Sequence, residues 1–250
     1  MILLLDGTSD SRDLACELMA SGYSIIATAI TSDGVKKLED KNIRAIQGKM
    51  DYKALVSKCR ELSIDVIIDG THPYADSMHE NAIKASKELG IPLIRFEREK
   101  IKINDGSIVY AESYKKAVEL AGNAGKNIFV TTGIRNIEYY KTLIRTHKVF
   151  FRVLPDPDSI KSLLEIGVSK SNIIAMEGNF TEGLDRAIME YYNIDTLITK
   201  DSGFNANPKI MAALSLGINT IVISRRDYPW ENIGHNSTEI KKILRDYRIK

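Results

Sequence analysis

An acid, a hydroxyl and an imidazole fall together in Asp69-Gly70-Thr71-His72-Pro73-Tyr74, directly after the apolar run Val66-Ile67-Ile68. A buried-type strand therefore ends in groups that donate, accept and titrate, at the place where open α/β sheets bind ligands. His72 can transfer a proton or a hydrogen bond near neutral pH, and Thr71 adds a hydroxyl beside it. A lone imidazole serves equally as a structural hydrogen-bonder, so both roles stand. His79, two helical turns further on, has no third ligand near it in sequence and does not make a zinc site.

Two more strand ends carry the same kind of chemistry. Ile2-Leu3-Leu4-Leu5 runs into Asp6-Gly7-Thr8-Ser9-Asp10-Ser11-Arg12, where a helix N-terminus with hydroxyls from Thr8 and Ser9 suits a phosphate or carboxylate. Capping by Ser9 or Asp10, with Gly7 making the turn, is the alternative. Thr196-Leu197-Ile198-Thr199 runs into Lys200-Asp201-Ser202-Gly203, which offers a point charge, a hydroxyl and backbone N–H groups, or simply a turn. Val130-Thr131-Thr132-Gly133-Ile134-Arg135 repeats the design. Arg95, Arg152 and Arg225 also sit near predicted strand ends, where arginine suits bidentate capture of carboxylates or pairs with a neighbouring acid. Together these cations point to a polyanionic ligand.

The elements that must position these groups alternate along all 250 residues. Short Ile/Val/Leu runs predict strands near 2–5, 24–30, 43–47, 65–69 and 92–96, with helices near 9–21, 33–41, 51–62 and 74–90. Gly22 and Gly90 mark helix ends, and Pro92 follows the second. The rhythm breaks at 97–112, where a charge cluster precedes the turn signal Asn104-Asp105-Gly106-Ser107. It resumes with helices near 113–123, 158–166, 181–191, 208–216 and 237–247 and strands near 127–131, 148–153, 172–176, 195–199 and 219–223. The expected architecture is α/β, with two Rossmann-like domains, 1–105 and 106–250, whose mostly parallel sheets face each other across a cleft.

Composition narrows the function. With 35 Lys+Arg against 33 Asp+Glu the formal charge is +2, which gives no global field toward nucleic acid or anionic lipid. No apolar run approaches the roughly 18 residues of a membrane span, and Met1 leads straight into a strand without a basic leader, so a cytoplasmic protein is expected. Cys16 and Cys59 sit in predicted helices without metal spacing and read as reduced thiols. No Gly-x-Ser-x-Gly elbow and no phosphate-loop lysine motif is present, which argues against hydrolases and kinases.

Taken in order, Asp6-Gly7-Thr8-Ser9-Asp10-Ser11-Arg12, Asp69-Gly70-Thr71-His72-Pro73-Tyr74-Ala75, Pro92-Leu93-Ile94-Arg95-Phe96-Glu97-Arg98, Thr131-Thr132-Gly133, Arg152-Val153-Leu154-Pro155 and Thr199-Lys200-Asp201-Ser202-Gly203 resemble the precorrin-6A reductase family of cobalamin biosynthesis. The resemblance spans nearly the whole chain. It implies reduction of one carbon–carbon double bond of precorrin-6A or its cobalt form by NADPH or NADH, with cofactor and tetrapyrrole held between two Rossmann-like domains. It further implies Gly7, Thr8, Ser9, Thr132, Gly133, Lys200, Ser202 and Gly203 as cofactor-binding candidates. Arg12, Thr71, Arg95, Arg135, Arg152 and Arg225 become candidates for the substrate carboxylates, and His72 for the proton relay. No metal is expected. The chain departs from the family at Asp6, where glycine is usual, at Thr31-Ser32, where a basic residue is common, and at Asp201, where asparagine is frequent. A polycarboxylate- or nucleotide-binding protein and a sugar-nucleotide transferase are the alternatives, and a monomer or a homodimer is compatible with all three.

Overall fold

The structure, a computed structural model, describes residues 1–98, 105–201 and 207–249. From the N-terminus the chain forms β1 (Ile2–Leu5), α1 (Ser9–Ala20), β2 (Ile25–Ala29), α2 (Ser32–Glu39), β3 (Arg44–Gln47), α3 (Tyr52–Glu61), β4 (Val66–Asp69), α4 (Asp76–Leu89) and β5 (Leu93–Phe96). There follow β6 (Ile108–Ala111), α5 (Tyr114–Ala124), β7 (Asn127–Val130), a 3-10 turn Ile137–Tyr140, α6 (Lys141–Thr146), β8 (Lys148–Val153), α7 (Pro157–Glu165) and β9 (Ile173–Ala175). The last elements are α8 (Glu182–Tyr191), β10 (Thr196–Lys200), α9 (Pro208–Ser215), β11 (Asn219–Ile223), β12 (Asn232–Gly234) and α10 (Ser237–Asp246).

Local chemistry sets many of these boundaries. Side chains of Thr8, Thr31, Asp51, Ser113, Asp156, Thr181 and Asn236 accept backbone N–H groups at helix starts, the standard repair of an otherwise unsatisfied first turn. Gly90 ends α4 in the left-handed conformation at φ 66°, as its residue type predicts.

Two compact units result: Met1–Glu99 with Arg226–Lys250, and Lys100–Arg225. The first holds a six-stranded sheet of order β12-β5-β4-β1-β2-β3, the second a six-stranded sheet of order β6-β11-β10-β7-β8-β9. Every strand pairing in both is parallel. Read outward from β1–β4 and from β7–β10, the two orders follow the same doubly wound pattern apart from the edge strands β12 and β6, and the strand order switches between β1 and β4 and between β7 and β10.

A two-residue period distributes the core. Ile2 and Leu4 join Leu14, Leu18, Ile240 and Leu244 on one face of the first sheet, whereas Leu3 and Leu5 join Leu55, Val56, Ala82 and Ala85 on the other. Both faces are covered by helices, as a parallel sheet requires. In the second unit Phe129, Phe150 and Leu197 pack against Met189, Ala212 and Ala213 from α8 and α9.

The last segment corrects the expected domain boundary. Residues 226–250 do not stay with the second half: β12 extends the first sheet by pairing with β5, and α10 buries Ile240 and Leu244 in the first unit's core. Neither β12 nor β6 is marked by its sequence, since Asn232-Ile233-Gly234 is short and glycine-containing and Ile108-Val109-Tyr110-Ala111 directly follows a turn. Both Cys16 and Cys59 are free thiols. Among the described residues, no helix is long and apolar enough to cross a membrane.

Candidate functional site

In the first unit the reversal point brings the loops after β1 and β4 side by side. A Cβ on Gly7 would lie 3.0 Å from both the His72 nitrogen and the Thr71 Cα, and one on Gly70 would lie 2.5 Å from the Ser11 Cβ. Neither backbone nor a Cβ fixed to it can retreat as the far end of a flexible side chain can, so both positions need glycine for close approach. Thr8, rather than Ser9 or Asp10, caps α1: its Oγ1 accepts the Ser11 N–H at 3.1 Å, and its own N–H donates to Ser11 Oγ at 3.2 Å. Asp6 points inward, accepting from Ser11 Oγ at 2.5 Å and from Arg12 Nη1 at 2.9 Å. Its negative charge is thereby neutralised beneath the loop. The N–H groups of Ser9 and Asp10, in the first helical turn, have no intrahelical acceptor, which fits an anionic group of a ligand.

Behind the second loop lies a buried charge cluster. The β4–β5 register sets Arg95 opposite Asp69. Arg95 Nη1 donates to Asp69 Oδ1 at 3.0 Å and to the backbone oxygens of Asp69 and Thr71, both at 2.9 Å. His79 Nδ1 donates to Asp69 Oδ2 at 2.7 Å, and Thr71 Oγ1 donates to Oδ1 at 2.6 Å. Burial alone would raise the Asp69 carboxyl, but the His79 hydrogen bond, the Arg95 and His79 charges and the Thr71 hydroxyl outweigh it and hold its pKa at about 2. Aromatic rings close the cluster: Trp230 lies edge-on to His79 at 5.3 Å and under the Arg95 guanidinium at 5.7 Å, and Tyr228 lies 5.1 Å from His79. Tyr228 in turn donates to Asp76 at 2.6 Å.

His72 stands outside this cluster. It is exposed on the loop, its Nδ1 accepts the Tyr74 N–H at 3.4 Å, and its ring lies 5.7 Å from that of buried Tyr74. An imidazole so placed can meet a ligand above the strand ends. Thr71 and Arg95, by contrast, spend their polar atoms on Asp69, on Glu97 and on backbone, and Arg12 is held by Asp6. These three shape the loops that a ligand would touch.

The second unit arranges its strand ends differently. Thr132 is buried, and its Oγ1 shares a hydrogen bond of 3.0 Å with the Tyr140 hydroxyl. Burial drives the Tyr140 phenol well above its ordinary pKa, so it stays a neutral partner. Gly133 has φ 73°, a conformation that favours glycine, and Arg135 beside it is exposed. Arg152, at the end of β8, contacts Asp185 of α8 through Nη1 and lies over the rings of Phe180 at 4.2 Å and Phe129 at 5.5 Å. Lys200 ends β10 with its ammonium 5.9 Å from the Tyr114 ring centroid. Arg225 is buried against Asp201, with Nε 3.4 Å from that residue's Oδ2. Ser202 and Gly203 lie outside the described residues.

Three functional-looking groups escaped the sequence reading. His79 was set aside as a metal ligand, yet it is the acid-bonding member of the buried cluster. Asp185 sits in the first turn of α8, where an acid needs no further reason than the helix dipole. Lys209 sits in the first turn of α9, where the pKa of its ammonium is lowered to about 8, mainly by burial and then by Arg152.

Comparison with known proteins decides the family. The family described as Precorrin-6x reductase CbiJ/CobK matches residues 1–246. The chain belongs to this precorrin-6x reductase family. As a member it is an oxidoreductase. The cobalt-precorrin-6A reductase of Priestia megaterium is 32% identical over 249 residues, covering 98% of each chain. That of Methanococcus maripaludis is 37% identical over 235 residues, covering 91% of this chain and 93% of the relative. A solved structure, "CobK precorrin-6A reductase", superposes with a TM-score of 0.84 at 22% identity, covering 100% of this chain and 98% of that one, so the reductase family's fold extends over the whole molecule.

Proposed function

We propose that this protein reduces one carbon–carbon double bond of precorrin-6A or cobalt-precorrin-6A, giving the precorrin-6B form in cobalamin biosynthesis, at the expense of NADPH or NADH. The observation that carries this reading is end-to-end similarity to relatives named for that reaction, with 98% of this chain and 98% of the Priestia megaterium enzyme aligned. A bound reduced nicotinamide supplies the hydride. The chain's own share is to hold the two reactants in register, to screen their charges and to provide a proton.

The first turn of α1, with Gly7, Thr8 and Ser9, receives an anionic group on the free N–H groups of Ser9 and Asp10. Thr132, Gly133 and Lys200 receive anionic groups at the second sheet. Arg135 and Arg152 face the acidic periphery of the tetrapyrrole, and Arg225 supports the loop that carries Asp201. Thr71, Arg95 and Arg12 act through the loops they brace. His72 gives the proton that completes the reduction, its exposed ring being held by the Tyr74 N–H.

Anaerobic incubation with either form of the substrate, following NADPH and NADH oxidation in parallel by absorbance, tests the proposal. Oxidation of one nucleotide tied to a two-hydrogen mass gain in the macrocycle is expected; a folded protein that oxidises neither overturns it. His72→Ala is expected to lower kcat by about 100-fold with little change in thermal midpoint, the usual size of a lost acid–base group. Full turnover by that variant would remove His72 from the proton path.

A further inference from the structure

Seven helices begin under a side-chain cap, but α4, which follows the His72 loop, has Ala75 at its N-cap position and no such bond among the described residues. Its start is held from outside instead. Along 226–230, a stretch in neither helix nor strand, every second residue meets the first two turns of α4. Arg226 Nη1 donates to Glu80 Oε1 at 3.0 Å, Tyr228 OH donates to Asp76 Oδ1 at 2.6 Å, and the Trp230 ring lies 5.3 Å from that of His79. Positions 76, 79 and 80 share one helix face at i, i+3 and i+4 spacing. The three side chains also follow one another in series: the Arg226 guanidinium lies 5.1 Å from the Tyr228 ring centroid, and that ring lies 5.5 Å from Trp230.

What these contacts hold is the far end of the His72 loop. The Ala75 carbonyl accepts the N–H groups of Met78 and His79 at 2.8 and 3.1 Å, and the Ala75 N–H donates to the His72 carbonyl at 2.8 Å. His72 is thereby tied to the first turn of α4 through a single residue. The near end of the loop is fixed separately, by Asp69, Thr71 and Arg95. Trp230 reaches both ends, since its ring also lies 5.7 Å under the Arg95 guanidinium. Burial, and then the hydrogen bond to Asp76, raise the Tyr228 phenol above its ordinary pKa, so its hydroxyl stays a donor. The Arg226–Glu80 and Tyr228–Asp76 contacts are themselves solvent-exposed, and losing such contacts leaves an unfolding transition nearly unchanged.

We propose that Arg226, Tyr228 and Trp230 are positioning residues for the reduction, forming a strap that holds the start of α4 and so presents the His72 ring to the ligand. None of the three needs to touch the ligand. A displacement of about 1 Å in a reacting group is enough to slow its step about 100-fold, so contacts one residue removed from His72 can govern the rate. The role in the reaction rests on the reductase reading above, in which His72 gives the proton; the hold on the loop rests on the contacts themselves.

A strap variant carrying Arg226→Gln and Tyr228→Phe tests this, because it removes the bonds to Glu80 and Asp76 and keeps the ring against His79. Its kcat is expected to fall about tenfold, with the KM for the nucleotide and the thermal midpoint unchanged. Added to His72→Ala, the same two changes should cost nothing more, since placing a group that is absent has no effect. Wild-type kcat in the strap variant overturns the proposal, and so does a further tenfold loss on top of His72→Ala. If wild type oxidises neither nucleotide, or His72→Ala keeps full turnover, the reductase reading or its proton donor is what fails, and hydrogen exchange then decides the strap. In the strap variant the amides of Ala75, Met78 and His79 should exchange about tenfold faster than in wild type, with those of β1 and β2 unchanged. Unaltered exchange at Ala75 sinks the strap. Faster exchange spread evenly through the first unit sinks it as well, because the three residues would then stabilise the fold without placing the loop.

Discussion

The two sheets share a doubly wound strand order apart from their edge strands β12 and β6, yet they hold their buried charges in different ways. In the first unit, Asp69 is met by Arg95, His79 and Thr71 and roofed by Trp230, and every polar atom at its carboxylate has a partner. In the second, Asp185 meets Arg152 through Nη1, and the same acid favours the charged form of Lys209. A balanced cluster fixes a backbone, since a buried charged network is stabilising only when each member is satisfied. One topology has therefore been given a many-membered brace under its first loop pair and a single arginine–aspartate pair between β8 and α8 of its second sheet.

Removing the centre of the balanced cluster should have the largest effect. Asp69→Ala leaves His79 buried without its acid and Arg95 with Glu97 alone, and a loss of about 4 kcal/mol is expected, which thermal denaturation would register as a fall of about 10 °C in midpoint. A fall of only a degree or two would mean that the cluster does not brace the first unit. Acid should expose the same dependence more gently. The Asp69 pKa is depressed in the folded state, so its stabilisation is complete above the ordinary carboxylate pKa and is lost as pH falls toward about 2. Denaturant titrations should show about 2 kcal/mol disappearing between about pH 4 and pH 2, and the Asp69→Asn variant should lack that component.

In the second unit the expected numbers shrink. Asp185→Ala should cost about 1.5 kcal/mol in chemical denaturation, because Arg152 keeps its place over Phe180, and it should also lower the Lys209 pKa further by removing the one charge that favours the ammonium. Lys209→Met should change the unfolding free energy by no more than about 0.5 kcal/mol, or improve it. A methionine variant that is strongly destabilised would place Lys209 in the frame instead, and the contrast between the two units would collapse.

Much of the first half of this frame can be seen in the chain itself. The five strands and four helices up to residue 96 announce themselves through apolar runs and caps, and their observed ends fall within two residues of expectation. Partnership is what a linear reading misses. Arg152 looks like a ligand cation because the acid that engages it lies 33 positions away, and Arg95, with Glu97 two residues on, gives no sign of Asp69 26 positions back. His79 is similarly mute until α4 turns it onto Asp69. The edge strands β6 and β12 are hidden for another reason: neither is a long apolar run, and each is stabilised by the one neighbour it pairs with.

The return of Arg226–Lys250 to the first sheet also has a bearing on biosynthesis. A ribosome releases β1 to β5 long before it releases β12 and α10, so the nascent first unit must wait with one side of β5 unpaired and with the seat of Ile240 and Leu244 empty. The second unit is contiguous and has no such wait. Vectorial synthesis thus lets the later-made unit finish first, and any message truncated before codon 226 yields a chain whose damage appears at its opposite end, as an open sheet edge inviting association.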